Sequence, residues 1–213
     1  MRTLYRIITS LALLPLLALT VLPLSAVASE DPNVINPLRV SYIDGGVSFW
    51  RYGADDWVEA QINTPLATGD ALYVASDGVL ELQSGSRAFI RANGDSNIAL
   101  INQTADFLQL KVTSGHVSFD LRSLPAPGYS IELDTPNAVF MIDHIGYYRV
   151  DVNDEVHFIT RRGGRAAMTP AGGEAMNILP SEEIVVRGTD IAQAEMALEF
   201  QRGIAFVRVL RRP

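Results

Sequence analysis

The chain has 213 residues, 48% of them hydrophobic and 19% charged, with a formal net charge of −7. It has no cysteine, which rules out disulfide staples, thiol catalysis and cysteine-ligated metal centres. The acidic balance argues against general nucleic-acid binding and against simple electrostatic docking on anionic lipid, since both rest on basic surface.

Residues 1–28 follow the plan of a cleavable secretory signal peptide. Arg2 and Arg6 precede an apolar run over 7–24, and Ala26-Val27-Ala28 supplies the small residues a signal peptidase reads. The rival reading is an uncleaved anchor, because the run approaches the roughly 20 residues that a span requires. Pro15 and Pro23 weaken a continuous helix there. No Arg-Arg pair marks twin-arginine export, and no cysteine follows the run to carry a lipid. The expectation is a mature chain from Ser29, periplasmic or secreted, with no transmembrane segment after cleavage. Loss of Arg2 and Arg6 leaves 15 basic against 24 acidic residues, a mature net charge of about −9.

Residues 29–37 read as an irregular lead-in, with Asp31-Pro32-Asn33 and Asn36-Pro37. From 38 to 187 the pattern is one of short strands. Leu80 and Leu82 alternate with Glu81 and Gln83; Leu108, Leu110 and Val112 with Gln109, Lys111 and Thr113. The same period of two runs through Val117, Phe119 and Leu121, through Tyr129, Ile131 and Leu133, and through Tyr148, Val150 and Val152. Such alternation marks strands with one buried and one wet face. Turns are expected at Asp44-Gly45-Gly46, Thr68-Gly69-Asp70, Ser76-Asp77-Gly78, Asn93-Gly94-Asp95, Ser114-Gly115 and Gly163-Gly164. The predicted fold is all-β, a short-stranded sandwich or roll, or a solenoid-like stack.

Two short recurrences suggest two similar halves on one core: Val47-Ser48-Phe49 with Val117-Ser118-Phe119, and Thr64-Pro65 with Thr135-Pro136. Residues 188–213 change character. Thr189 or Asp190 is a possible cap for a helix through Gln201, with Ile191, Ala194 and Leu198 on one face and Gly203 past its end. The abrupt ending over 205–213 reads as a truncation or a shifted reading frame.

The order of motifs resembles a FecR-type domain over about residues 38–187. Gly45-Gly46-Val47, Trp50 or Trp57, and the stretch from Leu66 to Gly69-Asp70 stand where that family has a Gly-x-Val strand, a tryptophan and a Leu-to-Gly-Asp turn. Leu80 to Leu82 and Gly85-Ser86 follow as its alternating strand and turn. The leucine-rich strand 108–117, Thr135-Pro136-Asn137-Ala138 and the strand from Gly146 to Val152 continue the likeness. The resemblance implies an all-β envelope domain without catalysis and without a cofactor. The best-known relatives pass a transport signal to a sigma factor through a cytoplasmic segment. Only about six residues precede the apolar run here, so that role is not expected to carry over.

Several residues invite a chemical role. Glu132 and Asp134 lie two apart on one strand, roughly 6.6 Å apart and near the lower limit for an inverting glycosidase pair. The core face there belongs to Tyr129, Ile131 and Leu133, so a wet strand face is expected. His116, His144 and His157 show no ligand spacing, and no metal site is expected. Asp143-His144 hints at a general base, but no Gly-x-Ser-x-Gly elbow supplies a nucleophile. Asp55, Asp56 and Glu59 lack the alternate spacing of a calcium loop and read as a solvated turn. Arg161, Arg162 and Arg165 surround Gly163-Gly164, at an expected hairpin tip where guanidinium forks could meet carboxylates. Trp50, Trp57 and Tyr147 could form a binding face, with Tyr148 on the opposite side of the strand.

The leading expectation is a non-enzymatic envelope module that binds a protein or a cell-surface polysaccharide through Trp50, Trp57, Tyr147, Arg161, Arg162 and Arg165. The alternatives are a carbohydrate-active enzyme using Glu132 and Asp134, and a sensor in a transport-signalling system.

Overall fold

The computed structural model describes residues 35–188, and the backbone of 193–199 and 204–207. The expected signal peptide at 1–28, the lead-in up to residue 34 and the chain from 208 to 213 lie outside the described residues. Residues 35–38 carry no regular structure, as expected for the end of a lead-in.

The described residues hold sixteen strands and no helix. The all-β expectation is met. The first strands are β1 (Arg39–Asp44), β2 (Val47–Trp50), β3 (Val58–Glu59), β4 (Ala71–Val74) and β5 (Val79–Ser84). Two long strands follow, β6 (Ala88–Gln103) and β7 (Phe107–Leu121). Then come β8 (Ser130–Asp134), β9 (Ala138–Ile142), β10 (Gly146–Val152), β11 (Val156–Arg161), β12 (Ala166–Pro170), β13 (Met176–Ile178) and β14 (Glu182–Arg187). The last are β15 (Gln193–Glu199) and β16 (Ile204–Val207).

The long hairpin β6–β7 organises the rest. The first half of β6 pairs with β5, and its second half with β4. The first half of β7 pairs with β8 in parallel, and its second half with β10 antiparallel. Geometry forces the hairpin to bend. Leu121 to Ser130 is nine residue steps, about 32 Å at full stretch. Ser130 must nevertheless reach Phe107, which a straight β7 would place about 46 Å from Leu121. The sheet therefore folds over on itself.

The bend sits where turns were expected. Asn93-Gly94-Asp95 and Ser114-Gly115 do not end strands; they face each other inside β6 and β7, where the pairing register slips between Asn93 and Asn97. The extra residues form a bulge, which curves a strand without ending it. Ser96 plugs the bulge, fully buried, donating to the Asn93 carbonyl and accepting the His116 N–H at 2.9 Å. Gly115 has φ +88°, and a Cβ on it would collide with Ser96. A glycine is needed there for both reasons.

Two layers result, sharing one core. Leu80, Leu82, Ile90, Phe119, Val150, Phe158 and Ile184 come from one layer; Leu72, Ile98, Leu110, Leu133, Phe140 and Met168 come from the other. Phe140 stacks on Phe158 across the layers, centroids 4.2 Å apart and planes 10° apart. The period-two alternation read from the sequence thus names the buried faces correctly.

The recurring triplets share inward Val and Phe but not neighbours. Val47 to Phe49 lies in β2 beside β3 and β4, whereas Val117 to Phe119 lies mid-strand in β7 between β6 and β10.

Two further expectations are corrected. The helix over 189–201 is not formed at 193–199, which is strand β15, antiparallel to β14 with Ile184 opposite Met196 and Val186 opposite Ala194. Ala194, Met196 and Leu198 also alternate with Gln193, Glu195 and Ala197, so the segment satisfies a strand period as well as a helical one. Pairing along β14 supplies the backbone partners that decide it. The Arg161 to Arg165 stretch is no hairpin tip either. β11 pairs with β10 and β14, while β12 pairs with β9 and β13, so the link crosses between layers.

Candidate partner-binding surface

The loop after β2 carries an aromatic cluster. Trp50 ends the strand, and its ring lies 6.5 Å from Trp57 and 6.2 Å from Tyr52. The indole N–H of Trp50 donates to the Ala54 carbonyl at 2.9 Å, closing the loop into a tight turn. The turn leaves Tyr52 74% exposed, Trp57 47%, Val58 57% and Ile62 54%. That much apolar surface in one loop is unusual, because scattered single hydrophobics are the norm.

The base of this loop is rigid. Asp70 is fully buried and accepts the N–H of Ala67 at 2.7 Å and that of Tyr52 at 3.3 Å. Gly69, at φ +93°, lies under the Tyr52 ring, and a Cβ there would approach that ring to 2.9 Å. Arg51, itself exposed, lies 3.6 Å from Asp70 and 5.1 Å above the Phe49 ring centre. The Thr68-Gly69-Asp70 turn is thus the seat on which the aromatic loop rests.

Tyr147 and Arg162 form a separate patch. Tyr147 faces outward and Tyr148 inward, as the alternation predicts. Arg162 lies 5.2 Å from the Tyr147 ring centre and reaches Asp120 at 2.7 Å. Asp120 also holds Arg122 at 2.9 Å and has Arg91 at 3.6 Å; Arg91 in turn bonds Glu81 at 2.8 Å. Burial alone would raise the Asp120 pKa, but Arg122 and Arg162 more than offset it and hold the carboxyl below its usual range. Arg162 therefore belongs to a charge network across β5, β6, β7 and the β11 end in which three arginines share two carboxylates. Arg161 and Arg165 are exposed on either side of the crossover. The structure does not bring Trp50 and Trp57 together with the arginines through any contact among the described residues.

Tyr148 locks that crossover. Its buried hydroxyl donates to the His144 carbonyl at 2.8 Å and accepts the Arg165 N–H at 3.2 Å. Burial pushes its pKa up to about 12.

Glu132 and Asp134 share one face of β8, as expected, and both accept from the same Gln109 amide nitrogen, at 2.8 and 2.9 Å. Burial, with Asp134 alongside, raises the Glu132 pKa. That amide occupies the space between the carboxylates where a glycosidic bond would have to lie, so the pair reads as a cross-strand clamp.

The three histidines pair with separate acids. His116 meets Asp151 at 2.6 Å, His157 meets Glu183 at 2.8 Å, and exposed His144 bonds its neighbour Asp143. No group of three or more metal-ligating side chains occurs among the described residues, and no helix among them is long and apolar enough to cross a membrane. Asp55, Asp56 and Glu59 are exposed in the aromatic loop.

Sequence reasoning singled out Trp50 and Trp57 but missed Tyr52, Val58 and Ile62, which complete the surface. The available signal was the absence of alternation from Arg51 to Trp57, which leaves no buried face for the aromatics.

No family model and no curated protein matches this chain. Among solved structures it is similar to two crystal structures of a candidate anti-sigma factor from Parabacteroides distasonis. The identities are 16% and 15%, each with a TM-score of 0.49. The alignments cover 58% of this chain and 58% of each of those chains, so the match spans less than two thirds of their length.

Proposed function

We propose that the chain is an exported, FecR-like, non-enzymatic module that binds a protein partner through the aromatic loop around Trp50, Tyr52 and Trp57. The observation that carries this reading is the exposure of the Tyr52 and Trp57 rings, packed against half-buried Trp50 on a hydrogen-bonded base. Keeping such rings exposed is unfavourable unless something covers them, and tryptophan and tyrosine are the side chains that dominate interface energetics. A protein fits better than a polysaccharide. Sugar rings stack on flat aromatic platforms, whereas Trp50 stands at 81° to Tyr52 and 36° to Trp57. Export follows from the signal-like residues 1–28, with the periplasm or the cell exterior as destination.

Affinity capture from envelope fractions, run in parallel with wild-type and Trp57→Ala protein, tests the binding reading. The expected result is one partner that is retained by the wild type and lost by the variant. Equal recovery with both would sink it. N-terminal sequencing of the purified protein tests export, with Ser29 expected as the first residue.

A further inference from the structure

We infer that the partner presents a cationic segment, rich in arginine or lysine, to the aromatic loop. This rests on the binding reading above and adds the chemistry of the partner. Between Arg39 and Arg87 the chain carries Asp44, Asp55, Asp56, Glu59, Asp70, Asp77 and Glu81 against a single cation, Arg51. That cation, though exposed, lies over Phe49 and 3.6 Å from Asp70 rather than on Asp55, Asp56 or Glu59. Asp55, Asp56 and Glu59 are exposed, flank Trp57 in sequence, and their carboxylates make no hydrogen bond or ion pair among the described residues.

The contrast with the rest of the surface gives this weight. On the sheet face several acids meet an arginine: Glu81 with Arg91, Asp120 with Arg122 and Arg162, Asp151 with Arg149, and Glu155 with Arg187; Glu132 and Asp134 share only the Gln109 amide. Beside the exposed rings of Tyr52 and Trp57, no arginine or lysine meets the carboxylates of Asp55, Asp56 or Glu59 among the described residues. A guanidinium or ammonium satisfies both features at once, since it pairs with carboxylates and is attracted to the faces of tryptophan and tyrosine. An acidic polymer would be repelled by the carboxylates, and a neutral one would cover the rings but leave the carboxylates uncompensated. The outer edge of β3 adds a backbone component. Among the described residues Val58 and Glu59 pair with β2 only, which leaves their other side without a strand partner there for an extended chain to use.

The test uses protein purified from the envelope of cells expressing the full chain, and three short fluorescent peptides. One alternates arginine with valine, the second has glutamate for arginine, and the third has glutamine for arginine. Binding is read by fluorescence anisotropy at low and at physiological ionic strength. The arginine peptide is expected to bind at least about tenfold more tightly than the glutamine peptide at low ionic strength, and to weaken with added salt. The triple variant Asp55→Asn/Asp56→Asn/Glu59→Gln changes only exposed side chains, and an unchanged thermal unfolding midpoint verifies its fold. It should lose that preference. The inference is overturned if the arginine peptide binds no better than the glutamate peptide, or if the triple variant retains full preference. Should the glutamine and arginine peptides bind equally to the wild type and both be lost from Trp57→Ala, the cationic assignment falls while the aromatic surface stands. If Trp57→Ala leaves arginine-peptide binding unaltered, the binding reading falls with it.

Discussion

The buried carboxylate of Asp70 accepts the backbone N–H of Tyr52, eighteen residues upstream, at 3.3 Å. Its other oxygen holds the Ala67 N–H at 2.7 Å, so a single side chain ties the turn before β4 to the exposed loop after β2. Replacing it with asparagine keeps the volume but sets an NH2 group against a backbone donor. An unsatisfied buried group of this kind costs about 1–3 kcal/mol. Asp70→Asn is therefore expected to lower the urea midpoint by that equivalent and to increase proteolysis within 51–57. A variant with wild-type stability and cleavage pattern would show that the loop is held by other means.

Phe140 and Phe158 join the two layers, stacked at 4.2 Å with both rings fully buried. Truncation of either to alanine should cost about 3–5 kcal/mol, from lost burial and the cavity left behind. Because each ring fills the other's environment, the double variant should cost less than the sum of the two singles. Chemical denaturation of all four proteins measures this coupling. Strict additivity would mean that the layers are joined elsewhere.

Tyr148 and Tyr129 are both buried tyrosines with opposite expectations. The Tyr148 hydroxyl joins His144 and Arg165, and its removal in Tyr148→Phe should cost about 1–3 kcal/mol. The Tyr129 hydroxyl has no well-formed hydrogen bond, so Tyr129→Phe should cost less. On the alkaline side the two act in the same direction, since burial raises the Tyr129 pKa above 10.0 too. Burial raises the Tyr148 pKa from 10.0 to about 12, so the folded state holds its proton more tightly than the unfolded chain. The resulting stability is complete below pH 10.0 and is lost as pH rises toward about 12. Tyr148→Phe should flatten that part of the stability curve. An unchanged slope would remove Tyr148 as its source.

Asp120 governs the acid side. Arg122 and Arg162 outweigh the effect of burial and depress its pKa below the ordinary 3.8. Its contribution is present above pH 3.8 and disappears as pH falls through the lowered folded value. Asp120→Asn should destabilise the protein at neutral pH and make its stability less sensitive to acid between those limits. Thermal melts across that range, compared with the wild type, measure it; an identical acid profile would contradict the assignment.

Strand faces were legible in the sequence because burial on one side writes itself as alternation. Leu108, Leu110 and Val112, or Tyr148, Val150 and Val152, need no partner to be read. Turn chemistry was less decisive. Asn93-Gly94-Asp95 satisfies the local demands of a turn and of a bulge equally. The choice depends on Ser96 and Gly115 meeting across the hairpin, a long-range fact. The segment 193–199 is ambiguous for a related reason: its apolar residues fit two periods, and the open edge of β14 selects one. In the aromatic loop, Trp50 and Trp57 stand out by type. The hold of buried Asp70 on the Tyr52 backbone between them is a long-range contact that no local pattern discloses.

The clamp on β8 leads to a substitution expected to stabilise the fold. Glu132 and Asp134 both draw on the Gln109 amide, and burial together with Asp134 raises the Glu132 pKa above its ordinary 4.5. A raised carboxyl favours the fold while protonated. That advantage is complete below pH 4.5 and is lost as pH rises through the folded value, so at neutral pH the ionised pair is a net cost. Glu132→Gln removes one charge, keeps an oxygen to accept from Gln109, and adds an amide that can donate to Asp134. It should raise stability at neutral pH by about 0.5 kcal/mol, since solvent screens a half-exposed pair. Below pH 4.5 the gain should vanish, because the wild-type side chain is then neutral as well. Paired denaturation curves at neutral and acidic pH decide the matter. A glutamine variant less stable than the wild type at neutral pH would mean that the Glu132 charge is being used, and would return this pair to consideration as a functional one.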